Sequence, residues 1–151
     1  MATPTPGSAP RGCTNLKLRQ AARLVTRHYE TQMAEAGLTI TQYSLLSHAV
    51  VLGPLRAGEL AAAMQLDAST LTRNLRPLVA AGWLRVQPGA DARSRVVEAT
   101  PAGRAQRAAA QKAWKRAQLA LNHKLGSARV AALHALLDEC IASLESQDHA
   151  A

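Results

Sequence analysis

The amino-acid sequence predicts a mainly α-helical protein with a small β-hairpin wing: a winged helix-turn-helix flanked by N- and C-terminal dimerisation helices. Three observations predict this fold. Residues 56–82 contain two short helical patterns separated by a tight turn. Two β-rich segments around a basic loop follow, and long amphipathic helical patterns stand on both sides. At 151 residues the chain is long enough for one domain with its own core.

The N-terminal part of the chain divides into a tail and a helix. Residues 1–12 are rich in Pro, Gly, Ser and Thr, and we expect them to form a disordered tail. Thr14 or Asn15 is expected to cap the first long helix, which Gly37 closes. Residues 13–37 are therefore the predicted N-terminal dimerisation helix.

Residues 38–100 form the predicted winged helix-turn-helix domain. Its first helix opens with a capping box made by Thr39 and Gln42 and ends before Gly53. A short alanine-rich helix from Arg56 follows, and it leads into the tight turn of the helix-turn-helix.

The second helix of this pair is the predicted DNA-reading element. Asp67 is its N-cap, because a carboxylate accepts the free N–H groups of a first helical turn, and Gly82 ends it. Apolar residues spaced by three and four predict one buried stripe, formed by Leu71, Leu75, Leu78 and Val79. The residues expected to face DNA are Ser69, Thr70, Thr72, Arg73 and Arg76. Arginine pairs with guanine and hydroxyls contact phosphates or bases, although a solvated helix face would have a similar pattern.

The wing is predicted from two short strands, Trp83–Val86 and Val96–Ala99, with a Pro/Gly/Asp turn over residues 87–95 between them. The loop is basic. Its charged side chains are Asp91, Arg93 and Arg95. Arg95 is expected either to contact a DNA phosphate or simply to solvate the end of a strand.

Residues 101–151 are the predicted C-terminal dimerisation helices. The first has Thr100 as its cap and Pro101 at its first position and runs to about Leu125; the second begins at Ser127. A winged helix of about fifty residues cannot cover the apolar stripes of all these long helices, so we expect an isologous homodimer. The alternative is a compact monomer in which the helices form one layer on the wing domain.

Two segments, GELAAAMQLDASTLTRNLRPLVAAGWLRV and DARSRVVEATPAGR, resemble the MarR family of winged-helix transcription regulators, as does LTITQYSLL upstream. The resemblance covers the chain from about Asn15 to its C-terminus. It implies a homodimer that binds palindromic double-stranded DNA operators, usually as a repressor, and that a phenolic ligand or an oxidant releases. It also implies that Arg93 enters the minor groove at the wing tip and that Asp91 fixes the loop conformation.

Composition bounds the function. The formal charge is +8 and the pI about 10.5, which favours polyanionic partners. No apolar run is long enough for a membrane span, the N-terminus lacks the features of a secretory signal, and two cysteines are too few for a disulfide scaffold. We therefore expect a cytoplasmic protein without membrane association. No metal-ligand or catalytic signature is present, so neither an enzyme, a cofactor nor a metal site is expected.

Two hypotheses address the control of DNA binding, and the first, release by a small ligand, is the favoured one. A small aromatic carboxylate could bind between the dimer helices and the winged helix, in a pocket lined by Arg23, His28, Tyr29, Tyr43, His48 and Trp114. Alternatively, Cys13 just ahead of the first helix could sense an oxidant, although Asn15 and Ile40 depart from the peroxide-sensing branch of the family. Cys140 is expected to be a core residue.

The alternative to a DNA-binding regulator is a winged helix that serves only for interaction with other macromolecules.

Overall fold

The computed structural model describes residues 11–91 and 94–148; for residues 147 and 148 it describes the backbone only. The predicted tail therefore lies almost wholly outside the described residues, as do Arg93 and the last three residues. The helices are α1 (Thr14–Met33, continued by a 3-10 turn over Ala34–Ala36), α2 (Ile40–Leu52), α3 (Ala57–Ala63), α4 (Ala68–Ala80), α5 (Pro101–Leu125) and α6 (Ser127–Asp148). The strands are β1 (Leu55–Arg56), β2 (Leu84–Pro88) and β3 (Arg95–Ala99).

The predicted fold class is confirmed, with one addition to the wing. The sheet has three antiparallel strands in the order β1-β3-β2, whereas the sequence pattern predicted a two-stranded hairpin. The extra strand is the short β1, in which Leu55 lies opposite Val97 and Arg56 opposite Val96. It joins the wing directly to α3.

Local capping signals placed most helix starts correctly. Thr39 and Gln42 form the predicted capping box at α2, and the Asp67 carboxylate accepts the N–H of Thr70 at α4. The Thr100 hydroxyl accepts the N–H of Gly103 at α5, as expected. The prediction for α1 was wrong: its N-cap is Cys13, which makes no side-chain capping bond.

The core lies where α2, α3, α4 and the sheet meet the first half of α5. Its largest fully buried side chains are Met33, Leu45, Leu46, Leu60, Leu71, Leu78, Leu84 and Val97. In α4 the residues Leu71, Leu75 and Leu78 are buried as predicted, but Val79 is 38% exposed. The buried side of α4 is therefore narrower than the apolar spacing in the sequence predicted. Val79 lies at the edge of that side, facing the wing.

Helix α1 packs against α5 only along its second half. There the Tyr29 hydroxyl donates to Gln118 at 2.5 Å, and the His28 ring meets the Ala117 carbonyl oxygen at 2.9 Å. Among the described residues, nothing covers the first half of α1 or most of α6. Their exposed apolar side chains are Leu16, Leu18, Leu24, Leu133, Leu136, Ile141 and Leu144.

The junction between α5 and the wing is close. The Trp83 carbonyl oxygen accepts the Thr100 N–H at 3.0 Å, and the Thr100 hydroxyl donates to the Gly82 carbonyl oxygen at 2.7 Å. Gly103 is buried against the same Trp83 backbone, and a Cβ atom at Gly103 would lie 2.0 Å from that carbonyl oxygen. Thr100 and Gly103 thus connect the end of α4, the wing and the long helix α5.

Candidate nucleic-acid interface

Helix α4 turns a basic face to solvent. Because its three leucines hold one side in the core, Arg73 and Arg76 project from the opposite side, and both are exposed. No residue between 68 and 80 is acidic. Among the described residues, neither arginine forms an ion pair. Their guanidinium groups are therefore available to an external partner.

The hydroxyl groups of the first turn of α4 are bonded to its cap. Ser69 donates to one oxygen of the Asp67 carboxylate at 2.5 Å, and Thr70 donates to the other at 2.6 Å. The Ser69 and Thr70 hydroxyls and the Thr70 N–H together hold the pKa of the Asp67 carboxyl well below its usual range. Both hydroxyls can accept a hydrogen bond from a base amino group, but donating to a phosphate would require them to leave Asp67.

Thr72 lies one turn further on. Its hydroxyl donates to the Ala68 carbonyl oxygen at 2.8 Å, within the helix. Its exposed lone pairs and methyl group face the same side as Arg76, and both residues line a depression of about 610 Å³ between α4 and the wing. Arg95 of β3 and Val86 of β2 form the other wall. The structure thus brings together Thr72, Arg76 and Arg95, three of the residues predicted to contact DNA.

Asp91 and Ser94, at the two ends of the described part of the wing loop, are hydrogen-bonded to each other. One oxygen of the Asp91 carboxylate accepts the Ser94 N–H at 2.6 Å, and the Asp91 carbonyl oxygen accepts the Ser94 hydroxyl at 3.2 Å. The Gly89 N–H donates to the Ser94 carbonyl oxygen at 2.9 Å and closes the turn. Arg93, predicted to be the tip residue, lies outside the described residues.

A second crevice, of about 490 Å³, lies between α1, α2 and α5. Four of the residues predicted for an effector pocket line it: Tyr29, Tyr43, His48 and Trp114. The rings of Tyr43 and Trp114 are stacked, with centroids 6.1 Å apart. Burial raises the pKa of the Tyr29 hydroxyl.

Two of the basic residues predicted for this pocket, Arg23 and His28, do not line it. Arg23 is exposed on the first half of α1, and the His28 ring bonds to the backbone of α5. The cation in the crevice is Arg107, which the sequence reading missed. Its Nε lies 3.4 Å from the Ser47 hydroxyl and its Nη1 3.4 Å from the Gln111 side-chain oxygen. Arg107 and Ser47 are sixty positions apart in the sequence, and the packing of α5 on α2 brings them together. No local sequence pattern could therefore have predicted that Arg107 lines the crevice.

Both cysteines are exposed. Cys13 is the N-cap residue of α1, and Cys140 lies on α6, where the expectation of a core position was wrong for the single chain. The described residues include no cluster of three or more His, Cys, Asp or Glu side chains that could hold a metal ion. Within the same residues, no helix combines the length and apolarity needed to cross a bilayer.

Comparison with known proteins connects this geometry to a family. The MarR family profile matches residues 38–94, from the start of α2 to the wing loop. A Bacillus subtilis protein described as the uncharacterized HTH-type transcriptional regulator YwoH is 30% identical over 84 residues. The match spans 56% of this chain and 61% of that relative, less than two thirds of its length.

Solved structures extend the likeness to most of the chain. The M. tuberculosis transcriptional regulator MOSR, crystallised in complex with DNA, is 33% identical, with a TM-score of 0.70 over 85% of this chain and 98% of that one. A mutant of E. coli MarR complexed with operator DNA is 23% identical, with a TM-score of 0.76 over 83% and 91%. The second likeness concerns the fold alone.

Proposed function

This chain belongs to the MarR family of winged helix-turn-helix transcriptional regulators, and from that membership we propose that it binds a pseudo-palindromic DNA operator as a homodimer and represses transcription until a small aromatic acid releases it. The observation that carries the DNA-binding proposal is the exposed face of α4, where Arg73 and Arg76 stand without an acidic neighbour. Arg76 of this face and Arg95 of the wing line the same depression, which supports the same proposal.

The proposed contacts divide into reading and anchoring. Arg73 and Arg76 read base edges in the major groove, because an arginine fork pairs bidentately with guanine. Thr72 contributes its methyl group or a lone pair of its hydroxyl oxygen there. The hydroxyl oxygens of Ser69 and Thr70 can accept hydrogen bonds from bases while their protons remain bonded to Asp67. The wing anchors the complex: Arg95 contacts phosphate, Arg93 enters the minor groove, and Asp91 keeps the loop in shape.

Homodimerisation is supported by the apolar side chains that the single chain leaves exposed. Such side chains recur along the first half of α1 and along α6, where Leu24 is 61% and Leu144 is 67% exposed, and repeated apolar exposure of this kind marks an interaction surface. A second copy would bury these helices by twofold symmetry. Two α4 helices related by that axis would enter successive major grooves, with half-sites roughly 34–36 Å apart.

The proposed effector site is the crevice between α1, α2 and α5. Stacked Tyr43 and Trp114 offer an aromatic wall, and Arg107 offers a cation for a carboxylate in place of the predicted Arg23 and His28. The crevice joins α2, which packs on the DNA-binding region, to the long helix α5. A ligand there releases DNA if it favours a spacing of the two α4 helices that does not match the operator; tenfold release needs about 1.4 kcal/mol of such preference.

Selection from a random-sequence duplex library tests the DNA-binding proposal. The wild-type protein should enrich two inverted half-sites, and sedimentation at micromolar concentration should show a dimer. A monomer that enriches no sequence would remove the proposal and favour a winged helix used only for interaction.

The effector proposal is tested on the selected duplex with a panel of aromatic carboxylates. Release by a carboxylate should weaken in Arg107→Gln and persist in Lys112→Gln, a matched charge change on the same helix outside the crevice. Release by an organic hydroperoxide that vanishes in Cys13→Ser would instead establish the thiol-based alternative.

A further inference from the structure

We propose that Arg56 is a further phosphate-contacting residue of this protein, which anchors one DNA strand where the wing meets α3. The inference rests on the proposed DNA-binding function and adds a residue outside both α4 and the wing loop. The proposed partner of Arg56 is the sugar-phosphate backbone beside the groove that the wing tip enters.

The position of Arg56 follows from the strand that the sequence pattern did not predict. Arg56 ends β1 on the open edge of the wing sheet, opposite Val96, and is also the N-cap residue of α3. It lines a depression together with Glu59, Ser94 and Arg95. Arg56 therefore lies beside the base of the wing loop.

This depression is continuous with the DNA-facing side of α4. Arg95 and Ala57 line both it and the depression that holds Thr72 and Arg76. Arg76, Arg95 and Arg56 thus follow one another across α4, β3 and the start of α3. A row of guanidinium groups across three elements suits a phosphodiester backbone, whose charges repeat along the strand.

Glu59 holds the Arg56 side chain by hydrogen bonds without covering it. The Glu59 carboxylate accepts the Arg56 backbone N–H at 2.8 Å, Nε–H at 3.1 Å and Nη2–H at 2.8 Å. The two side chains remain 67% and 50% exposed. Since a guanidinium has five N–H donors and Glu59 takes two, three remain for a phosphate. The pairing orients the fork in advance, which reduces the conformational entropy that binding costs.

The guanidinium of Arg56 offers an anionic partner a permanent positive charge at this place. The lining of the depression contains two arginines and one glutamate, and Asp91 of the wing loop lies near Arg56, so these four groups balance in formal charge. The hydrogen bond to Glu59 and its charge, and to a lesser extent the charge of Asp91, raise the pKa of Arg56, and an arginine is charged at neutral pH in any case. A contact by such a group with phosphate displaces a condensed counterion, and this makes it measurable from the salt dependence of binding.

The matched control is Arg85. It also forms an exposed ion pair with a glutamate, Glu98, at 2.7 Å, and its side chain is 57% exposed. Arg85 lies on β2 opposite Glu98, near the α5 end of the wing and away from the loop. Arg56→Ala and Arg85→Ala therefore remove the same charge and the same kind of ion pair from opposite ends of one sheet.

The experiment measures Kd by fluorescence anisotropy on the duplex selected by the wild-type protein, between about 50 and 200 mM salt. Arg56→Ala should raise Kd roughly threefold to tenfold and lower the salt slope by about one, whereas Arg85→Ala should leave the slope unchanged. Arg56→Lys should retain the slope because it retains the charge. Glu59→Gln should strengthen binding, because it removes a negative charge and leaves an oxygen for the Arg56 N–H.

Each outcome decides the inference. An Arg56→Ala slope equal to that of the wild type, with the fold intact by circular dichroism, overturns the role of Arg56 and leaves the operator proposal standing. Equal losses in Arg56→Ala and Arg85→Ala show an effect of net charge only and also overturn it. If Arg56→Ala loses structure, the slope of Arg56→Gln decides, because this change removes the charge and keeps most of the side chain: a slope lower by about one supports the role of Arg56, and an unchanged slope overturns it. Failure of the wild-type protein to select any duplex overturns the operator proposal and this inference together.

Discussion

Replacing Gly103 by alanine tests the contact through which α5 holds the wing. Gly103 is in the first turn of α5, is buried, and lies against the backbone of Trp83. A Cβ atom there would be 2.0 Å from the Trp83 carbonyl oxygen, 2.8 Å from its carbonyl carbon and 3.1 Å from its Cα. Backbone atoms cannot rotate away as the end of a side chain can, so α5 and the wing would have to separate.

The expected magnitude combines three effects. Helix propensity alone favours alanine over glycine by about 1 kcal/mol. Forcing a methyl group into a packed junction costs about 1–3 kcal/mol, and loss of the hydrogen bond from the Thr100 N–H to the Trp83 carbonyl oxygen costs about 1 kcal/mol more. Gly103→Ala should therefore lower the free energy of unfolding by about 1–3 kcal/mol. Because the wing and α4 move with the junction, operator affinity should fall as well.

The assay is urea unfolding at fixed protomer concentration, with operator binding as a second readout. Gly58→Ala is the matched control, because Gly58 is in α3 and a Cβ atom there meets nothing within 4 Å. That variant should be as stable as the wild type or more stable, by up to about 1 kcal/mol. If the Gly103→Ala protein were as stable as the Gly58→Ala protein, Gly103 would not pack closely against the Trp83 backbone and the reasoning would be refuted.

Three further predictions concern the caps and the uncovered helices. Thr100→Val removes the hydroxyl that caps Gly103 and should cost about 1 kcal/mol in urea unfolding. Asp67→Ala should be less stable than the wild type at neutral pH; because folding lowers the pKa of Asp67, this difference should shrink as the pH falls below the ordinary value of 3.8, which unfolding across a pH series would show. Leu133→Glu, at a residue 43% exposed on α6, should produce a monomer in sedimentation, whereas Val51→Glu, at a residue 69% exposed on α2, should remain a dimer.

The predictable parts of this fold are those that local chemistry specifies. Thr39, Asp67 and Thr100 each offer an oxygen to the free N–H groups of the helix that follows, and each marks a true helix start. The spacing of the α4 leucines determines which side of that helix is buried, and therefore that Arg73 and Arg76 face outward.

What could not be predicted depends on contacts between distant segments. Strand β1 has only two residues, too few for a periodic pattern, and exists because Leu55 meets Val97. The position of Arg107 in the crevice depends on how α5 packs on α2. The sequence spacing predicted that Val79 is buried with the α4 leucines, because spacing alone does not show which part of α4 the wing leaves exposed.

The central claim is that α4 reads DNA sequence, and selection by variant proteins tests it most directly. The wild-type protein and Arg85→Ala should enrich the same inverted half-sites, about one helical turn apart. Arg73→Ala and Arg76→Ala should each lose roughly 1–3 kcal/mol on that duplex and tolerate other bases at one position of each half-site. Enrichment of an unchanged motif at unchanged affinity by both α4 variants would contradict the claim.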